Sequence, residues 1–463
     1  MKTKILETLE KVRKEGDAAV TDLSDRLFSL AEASREQKTL CILNSLEFET
    51  RQSRQNDIPD TEHRTFEWIF HDHHGPLNQH VGFKKWLQSG NDIYWISGKP
   101  GSGKSVLMSY IANGPCTQEL LQPWAGNKRL IIAKYFFWNA GAPMQKSQQG
   151  LLQSLLREIF GQCPELVPAL CPSRWKRYHE IGGTWTRLEI AEAFRNLSLQ
   201  QSLNLKFCFF VDGVDEYDGG DHNDIVDVLK NLNASPSVKI CLSSRPWNIF
   251  IAAFGSNTDQ RLLLEDHTKG DIERYIINRF ERDEQFISLQ SRDSRSSVLV
   301  DLIVRNAQGV FLWVRIVVSN LLRGLSNDDS LSDLQRRLES LPTSLTDYYQ
   351  HMFDNIDDFY REETAEILLI CLEGIQPLSL LVLWFHEQER STPNYALRIE
   401  SQYFSESDVT SIFERIHKRI NARGQDLLDI EVDLTRHEHL MCTFSYPNIS
   451  YPLQSVSRAL RYI

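Results

Sequence analysis

An α/β core built on a parallel five-stranded sheet, followed by a helical region, is the fold class that this 463-residue sequence predicts. Three observations lead there. The stretch Gly98-Lys99-Pro100-Gly101-Ser102-Gly103-Lys104-Ser105 stands between an apolar tetrad and a helix-forming run. Five near-continuously apolar segments alternate with helical periodicity between residues 60 and 270. Runs of that kind are the mark of strands buried on both faces, as in a parallel sheet sandwiched by helices. From Thr268 onward the strand signals fade and helical spacing takes over.

The elements follow in order. Ile93-Tyr94-Trp95-Ile96 predicts a buried strand, and Val106 to Ala112 a helix stopped by Asn113-Gly114-Pro115. Leu130 to Trp138 is a strand; Ser147 to Phe160 is a helix with Leu151, Leu155 and Ile159 on one face. Leu188 to Leu199 is helical, Phe207 to Val211 a strand, Asp224 to Leu232 a helix, and Val238 to Leu242 and Leu262 to Leu264 are strands. Helices are expected over Asp271 to Arg282, Val298 to Asn306, Val310 to Leu322, Leu331 to Leu341, Leu345 to Phe359, Glu363 to Leu372 and Asp408 to Asn421. Ahead of the core, Ile5, Leu9 and Val12, then Leu23, Leu27 and Leu30, repeat at helical spacing, which reads as one or two helices packing on their own protein. The implied division is an N-terminal helical extension at 1–58, the α/β domain at 59–267 and a helical domain at 268–345. A second helical, winged-helix-like region at 346–431 and an irregular tail at 432–463 complete it.

The segment from Gly98 to Ser105 fits G-x-x-x-x-G-K-[ST], the phosphate loop of P-loop NTPases, and its strand–loop–helix setting is the right one. Gly98, Gly101 and Gly103 let successive N–H groups of the loop, which also holds Lys99, Pro100 and Ser102, curl around phosphate oxygens. The following helix aims its positive end at the same place. Lys104 would reach the β- and γ-phosphates and the Ser105 hydroxyl would bind Mg²⁺. Downstream, an apolar strand ends in Asp212, with Asp215 and Glu216 just beyond it. A carboxylate at a strand end is held still enough to serve Mg²⁺ as Asp212, while Asp215 or Glu216 can polarise an attacking water. The next strand ends in Ser243-Ser244-Arg245-Pro246, placing the Arg245 cation where a γ-phosphate would lie. An arginine paired with a local carboxylate is the competing reading.

Composition narrows the rest. A net charge of −11 lacks the basic footprint of broad nucleic-acid binding. The charged N-terminus has no signal-peptide core, and no apolar run is long and uninterrupted enough for a transmembrane helix. Eight cysteines without CxxC pairing point to a reducing, cytoplasmic setting. Cys208, central in a strand, is expected to be inert. His71-Asp72-His73-His74 reads as a solvated loop, because adjacent side chains of an extended chain point apart. Arg174-Trp175-Lys176-Arg177 reads as an exposed helix face, and Trp68, Trp86 and Trp95 as core.

In this order the motifs resemble those of the fungal NACHT-type STAND NTPases, relatives of the NLR immune receptors, with a nephrocystin 3-like nucleotide domain. Thr65-Phe66-Glu67-Trp68-Ile69-Phe70, Tyr94 to Ser105, Phe136-Phe137-Trp138, Gln145-Lys146-Ser147 and Gly150-Leu151-Leu152 carry the likeness. So do Asp212-Gly213-Val214-Asp215-Glu216 and Ser243-Ser244-Arg245-Pro246-Trp247. Softer matches lie at Gly309-Val310-Phe311-Leu312-Trp313-Val314, Leu341-Pro342 and Arg419 to Gly424. The resemblance implies a sensor strand between the phosphate-loop and Asp212 strands. It also implies a signalling switch, closed with ADP and open or oligomeric with ATP, in non-self recognition or programmed cell death, with a protein effector. Related receptors often carry a base-contacting proline near Gly309; Val310 and Phe311 stand here, so ATP and GTP both stay open. A nucleotide-binding scaffold without turnover and an AAA+-like remodelling ATPase are the rival readings.

Overall fold

The computed structural model describes residues 33–444 apart from 49, 60–64, 72, 75–78, 91, 178–183, 200–203, 293–295, 346, 348, 349, 351–358, 374–377, 399–404, 425–427 and 434–438. The expected helices at Ile5 to Leu30, most of the one over 345–359 and the tail beyond 444 lie outside the described residues.

The core is a five-stranded parallel sheet. Its strands are β1 (Tyr94–Ser97), β2 (Arg129–Phe136), β3 (Leu205–Asp212), β4 (Val238–Ser244) and β5 (Arg261–Leu263), in the order β2-β3-β4-β1-β5. The expected sensor strand, β4, therefore does lie between β1 and β3, with Ile96 opposite Ser243 and Phe207 opposite Val238. Every residue of β1 and β4 is buried, as continuous apolar runs in a parallel sheet require.

Helices cover both faces. On the phosphate-loop face, α1 (Lys104–Asn113) and α2 (Pro115–Ala125) pack with Trp68, Phe83 and Trp86 against Ile96, Phe210 and Cys241. On the other, α3 (Gln148–Gln162), α4 (Arg187–Leu199), α5 (His222–Asn233) and α6 (Asn248–Phe254) pack on Trp95, Phe207, Phe209 and Leu242. The α3 start is fixed by Ser147, whose Oγ accepts from Gly150 N at 3.0 Å, and its face of Leu151, Leu155 and Ile159 is buried as the spacing predicts. A helix over 33–45 joins this face through Ile42, as does Leu46 just after it. Trp95 is fully buried and Trp68 and Trp86 nearly so, which makes them core residues.

Two charged side chains depart from the pattern. Lys239, on the central strand β4, is fully buried. Its ammonium donates to the carbonyls of Trp86, Leu87 and Ser89 that end the helix Phe83–Gln88, and it lies beside the Trp86 and Trp124 rings. Burial lowers its pKa to about 8. Arg174 is not on an exposed face as expected. It is 2 % exposed, lies 4.1 Å over the Trp185 ring and pairs with Glu189 at 3.1 Å. A planar guanidinium that finds both a ring and a carboxylate loses little by leaving water.

The chain after β5 is helical, as expected. α7 (Lys269–Phe280), α8 (Glu284–Arg292), α9 (Ser296–Ala307), α10 (Phe311–Ser326) and α11 (Leu331–Ser340) share a core around Trp313, Val317 and Leu321. α12 (Arg361–Glu373), α13 (Leu380–Ser391) and α14 (Glu406–Gly424) follow. No described helix is long and apolar enough to cross a membrane. One difference appears at the end. Sequence beyond 432 shows no periodicity, yet β8 (His439–Phe444) pairs antiparallel with β6 (Leu378–Ser379) and β7 (Leu428–Asp433). A strand defined by backbone pairing to distant partners leaves little local signal.

Candidate functional site

The phosphate loop links β1 to α1. Gly101 and Gly103 take φ of +72° and +97°, the left-handed region in which a side chain is strained. Gly101 has a second constraint: a Cβ there would stand 2.8 Å from Leu312 Cβ. Pro100, Gly101, Gly103, Lys104 and Ser105 line a cleft whose far wall is Asp212, Gly213, Asp215, Glu216 and Arg245. The sequence-derived site residues are thus brought together. Gly98, Lys99 and Ser102 lie behind this lining, and two of them act through their backbone. Lys104 Nζ donates to Gly98 O at 2.8 Å and Lys99 O at 3.0 Å. Burial lowers the Lys104 pKa, although Asp215, Asp212 and Glu216 pull the other way.

Asp212 ends β3. Ser243 Oγ donates to Asp212 Oδ1 at 2.5 Å and accepts from Gly213 N at 2.9 Å. Ser105 lines the cleft beside Asp212. Burial raises the Asp212 pKa; the two serines, Arg54 and Lys104 oppose the rise. A hydroxyl and a carboxylate lining the same cleft form a hard-oxygen donor set of the kind Mg²⁺ takes. The residues therefore fit the metal that the motif implies.

Asp215 and Arg245 form a latch. Asp215 Oδ1 accepts from Arg245 N at 3.0 Å, and Oδ2 lies 3.0 Å from Arg245 Nε. Both Asp215 oxygens are thereby engaged, and Arg245 pairs locally, the competing reading for that residue. Glu216 is differently placed. Its Oε2 accepts from Asn139 N at 2.8 Å, and its carboxyl faces the cleft. Burial pushes its pKa up to about 7, with the Arg54 charge working against the rise. A carboxylic acid near neutrality is suited to proton transfer at physiological pH.

Two contributors escaped sequence reasoning. Ser243 could have been found from its place two residues before Arg245 on a strand neighbouring β3. Arg54 left no signal, because it precedes every motif. The helical region sits on the loop: Leu312 N donates to Gly101 O at 3.0 Å and Lys99 Nζ to Gln308 O at 3.3 Å. Phe311 lies edge-on to Phe66, with ring centroids 6.4 Å apart, and both rings border Gly103.

Comparison with known proteins agrees with this geometry. Residues 64–245 match the family described as Nephrocystin 3, N-terminal. Vegetative incompatibility protein HET-E-1 of Podospora anserina is 23 % identical over 314 residues, covering 65 % of this chain and 22 % of that protein. The chain thus spans about a fifth of that relative's length. Among solved structures, the Drosophila ORC bound to DNA is 13 % identical with a TM-score of 0.33, covering 81 % of this chain and 93 % of that one. The Walker-type ATPase of Pyrococcus abyssi is 12 % identical with a TM-score of 0.30, covering 89 % and 99 %. Likeness of that degree is too slight to carry function. Residues 64–245 are a NACHT-type P-loop NTPase domain of the nephrocystin 3 N-terminal kind.

Proposed function

We propose that this NACHT-type domain binds ATP or GTP with Mg²⁺, hydrolyses it slowly and uses the exchange as a signalling switch of the NLR-like STAND type. The observation that carries the reading is the contact between Gly101 O and Leu312 N at 3.0 Å. It ties the helical region to the loop that would hold the phosphates. A ligand that binds one arrangement of these parts better than another shifts the population between them.

The roles follow from position. Lys104 leaves the carbonyls of Gly98 and Lys99 for the β- and γ-phosphates, and the loop amides hold the rest of the polyphosphate. Ser105 and Asp212 hold Mg²⁺, which when bound neutralises phosphate charge. Glu216 takes the proton of the attacking water. Asp215 fixes Arg245 at the strand end, and release of that latch frees a cation for the γ-phosphate. Turnover is slow because Lys104 and Arg245 must first leave internal partners. The likeness to a vegetative incompatibility protein supports a place in non-self recognition; a role in cell death, an unidentified protein effector and a cytoplasmic setting are further parts of the proposal.

Sedimentation in saturating Mg²⁺–ATP analogue and in Mg²⁺–ADP tests the switch. The triphosphate form is expected to self-associate, while identical sedimentation of the two forms contradicts it. Turnover should not respond to added polymers; strong stimulation by DNA, RNA or unfolded protein would favour a remodelling ATPase.

A further inference from the structure

Arg54 stands outside the segment that matches the family, on the short helix Ser53–Asn56, yet it is buried against Trp138, next to a residue that holds the cleft carboxylate Glu216. It is 3 % exposed, and its guanidinium lies 5.9 Å over the Trp138 ring. Trp138 belongs to the turn after β2 that builds the acidic wall. Phe137 N donates to Asp212 O at 3.0 Å, and Asn139 N donates to Glu216 Oε2 at 2.8 Å. The arm that carries Arg54 is itself fastened to α3. Arg51 pairs with Glu47 at 2.7 Å and Glu158 at 2.9 Å, and Gln153 Nε2 donates to Leu46 O at 3.1 Å.

Charge points the same way. Among the described residues, the cleft lining holds three carboxylates, Asp212, Asp215 and Glu216, but two cations, Lys104 and Arg245. Arg54 is buried outside that lining. Its positive charge opposes the rise that burial gives the pKa of both Asp212 and Glu216. A buried guanidinium over a ring holds a fixed plane, which a lysine ammonium does less well.

We infer that Arg54 is a positioning residue of the nucleotide site, a cation delivered by the N-terminal arm that holds the Trp138–Asn139 turn and, through it, the Glu216 carboxylate in place for hydrolysis. The inference rests on the function proposed above. It makes hydrolysis depend on the arm being docked on α3, although no described residue of the arm lines the cleft.

The test uses the full chain with Arg54→Met and Arg54→Lys. The readouts are kcat and KM for Mg²⁺–ATP, ADP affinity by calorimetry, and thermal melting. Arg54→Met should lower kcat by about tenfold or more while ADP affinity changes by less than about threefold, because misplacing a reacting group costs rate before it costs binding. Arg54→Lys, which restores the charge without the planar group, should regain part of the lost kcat. A kcat for Arg54→Met within twofold of wild type overturns the inference. So does a parallel loss of kcat, affinity and melting temperature that lysine does not rescue, which is what simple packing predicts. If Arg54→Met does not fold, Trp138→Leu removes the surface beneath the guanidinium and leaves the charge. It should also lower kcat with affinity kept, and an unchanged kcat counts against the inference. A wild-type chain that binds no nucleotide sinks the proposed function as well; a wild type that turns over beside equally active variants sinks this inference alone.

Discussion

Replacing Glu216 by glutamine separates the two consequences of its raised pKa. The carboxyl moves from the usual 4.5 to about 7 because burial disfavours its charge. Between pH 4.5 and 7 the folded chain keeps a proton that the unfolded chain releases, so stability falls as pH rises through that window. The cost is fully present above the folded pKa and absent below the unfolded one. A shift of this size corresponds to about 3 kcal/mol at most, and the carboxyl's partial access to water reduces it to about 1–2 kcal/mol. Glutamine keeps an acceptor for Asn139 N and has no charge to bury. Glu216→Gln should therefore melt a few degrees above wild type at about pH 8 and level with it at about pH 4. Catalysis should move the opposite way. The ionised fraction rises from about a tenth at pH 6 to about nine-tenths at pH 8, so kcat/KM for Mg²⁺–ATP, which reports the free protein, should climb about ninefold. The variant should lose most hydrolysis at every pH and still bind ADP as wild type does. A flat wild-type profile, or equal loss of binding and hydrolysis, would falsify the role given to Glu216.

Other outcomes follow from the same geometry. Gly101→Ala forces a side chain into the left-handed region and against Leu312, so it should destabilise by about 1–2 kcal/mol from the backbone alone and loosen the helical region, readable as faster amide exchange in α10. Arg245→Ala leaves the buried Asp215 carboxylate without its ion-pair partner and should cost about 3 kcal/mol in denaturant unfolding; an unchanged midpoint would show that the latch is not structural. Lys239→Met deletes a cation held by three carbonyls. The charge of Lys239 is disfavoured in the fold below its lowered pKa of about 8, and that penalty is progressively relieved as pH rises from there toward 10.5. Wild type should therefore gain stability relative to the variant across that window, and a pH-independent difference between them would contradict the burial argument.

Much of this was legible because the chemistry is local. A phosphate loop needs glycines at fixed offsets between a strand and a helix, and strands buried on both faces must be continuously apolar, so the sheet and the cleft residues could be read directly. The hidden parts depend on contacts across the fold. Lys239 looks misplaced in an apolar strand until the carbonyls of Trp86, Leu87 and Ser89 are seen to receive it. Arg174 looks solvated until Trp185 and Glu189 are brought against it. Arg54 has meaning only once the arm folds back on α3, and β8 only once β6 is found far upstream. The pairing of Arg245 with Asp215 was one of two open readings, since sequence places both just past strand ends but gives no distance between them.

Calorimetry of Mg²⁺–ADP and Mg²⁺–ATP binding to the wild-type chain and to Lys104→Ala tests the central claim most directly. Saturable binding to wild type that weakens on chelation of Mg²⁺ and is abolished in Lys104→Ala is the predicted result. Equal affinity of the two proteins would mean that the loop from Gly98 to Ser105 does not hold the phosphates.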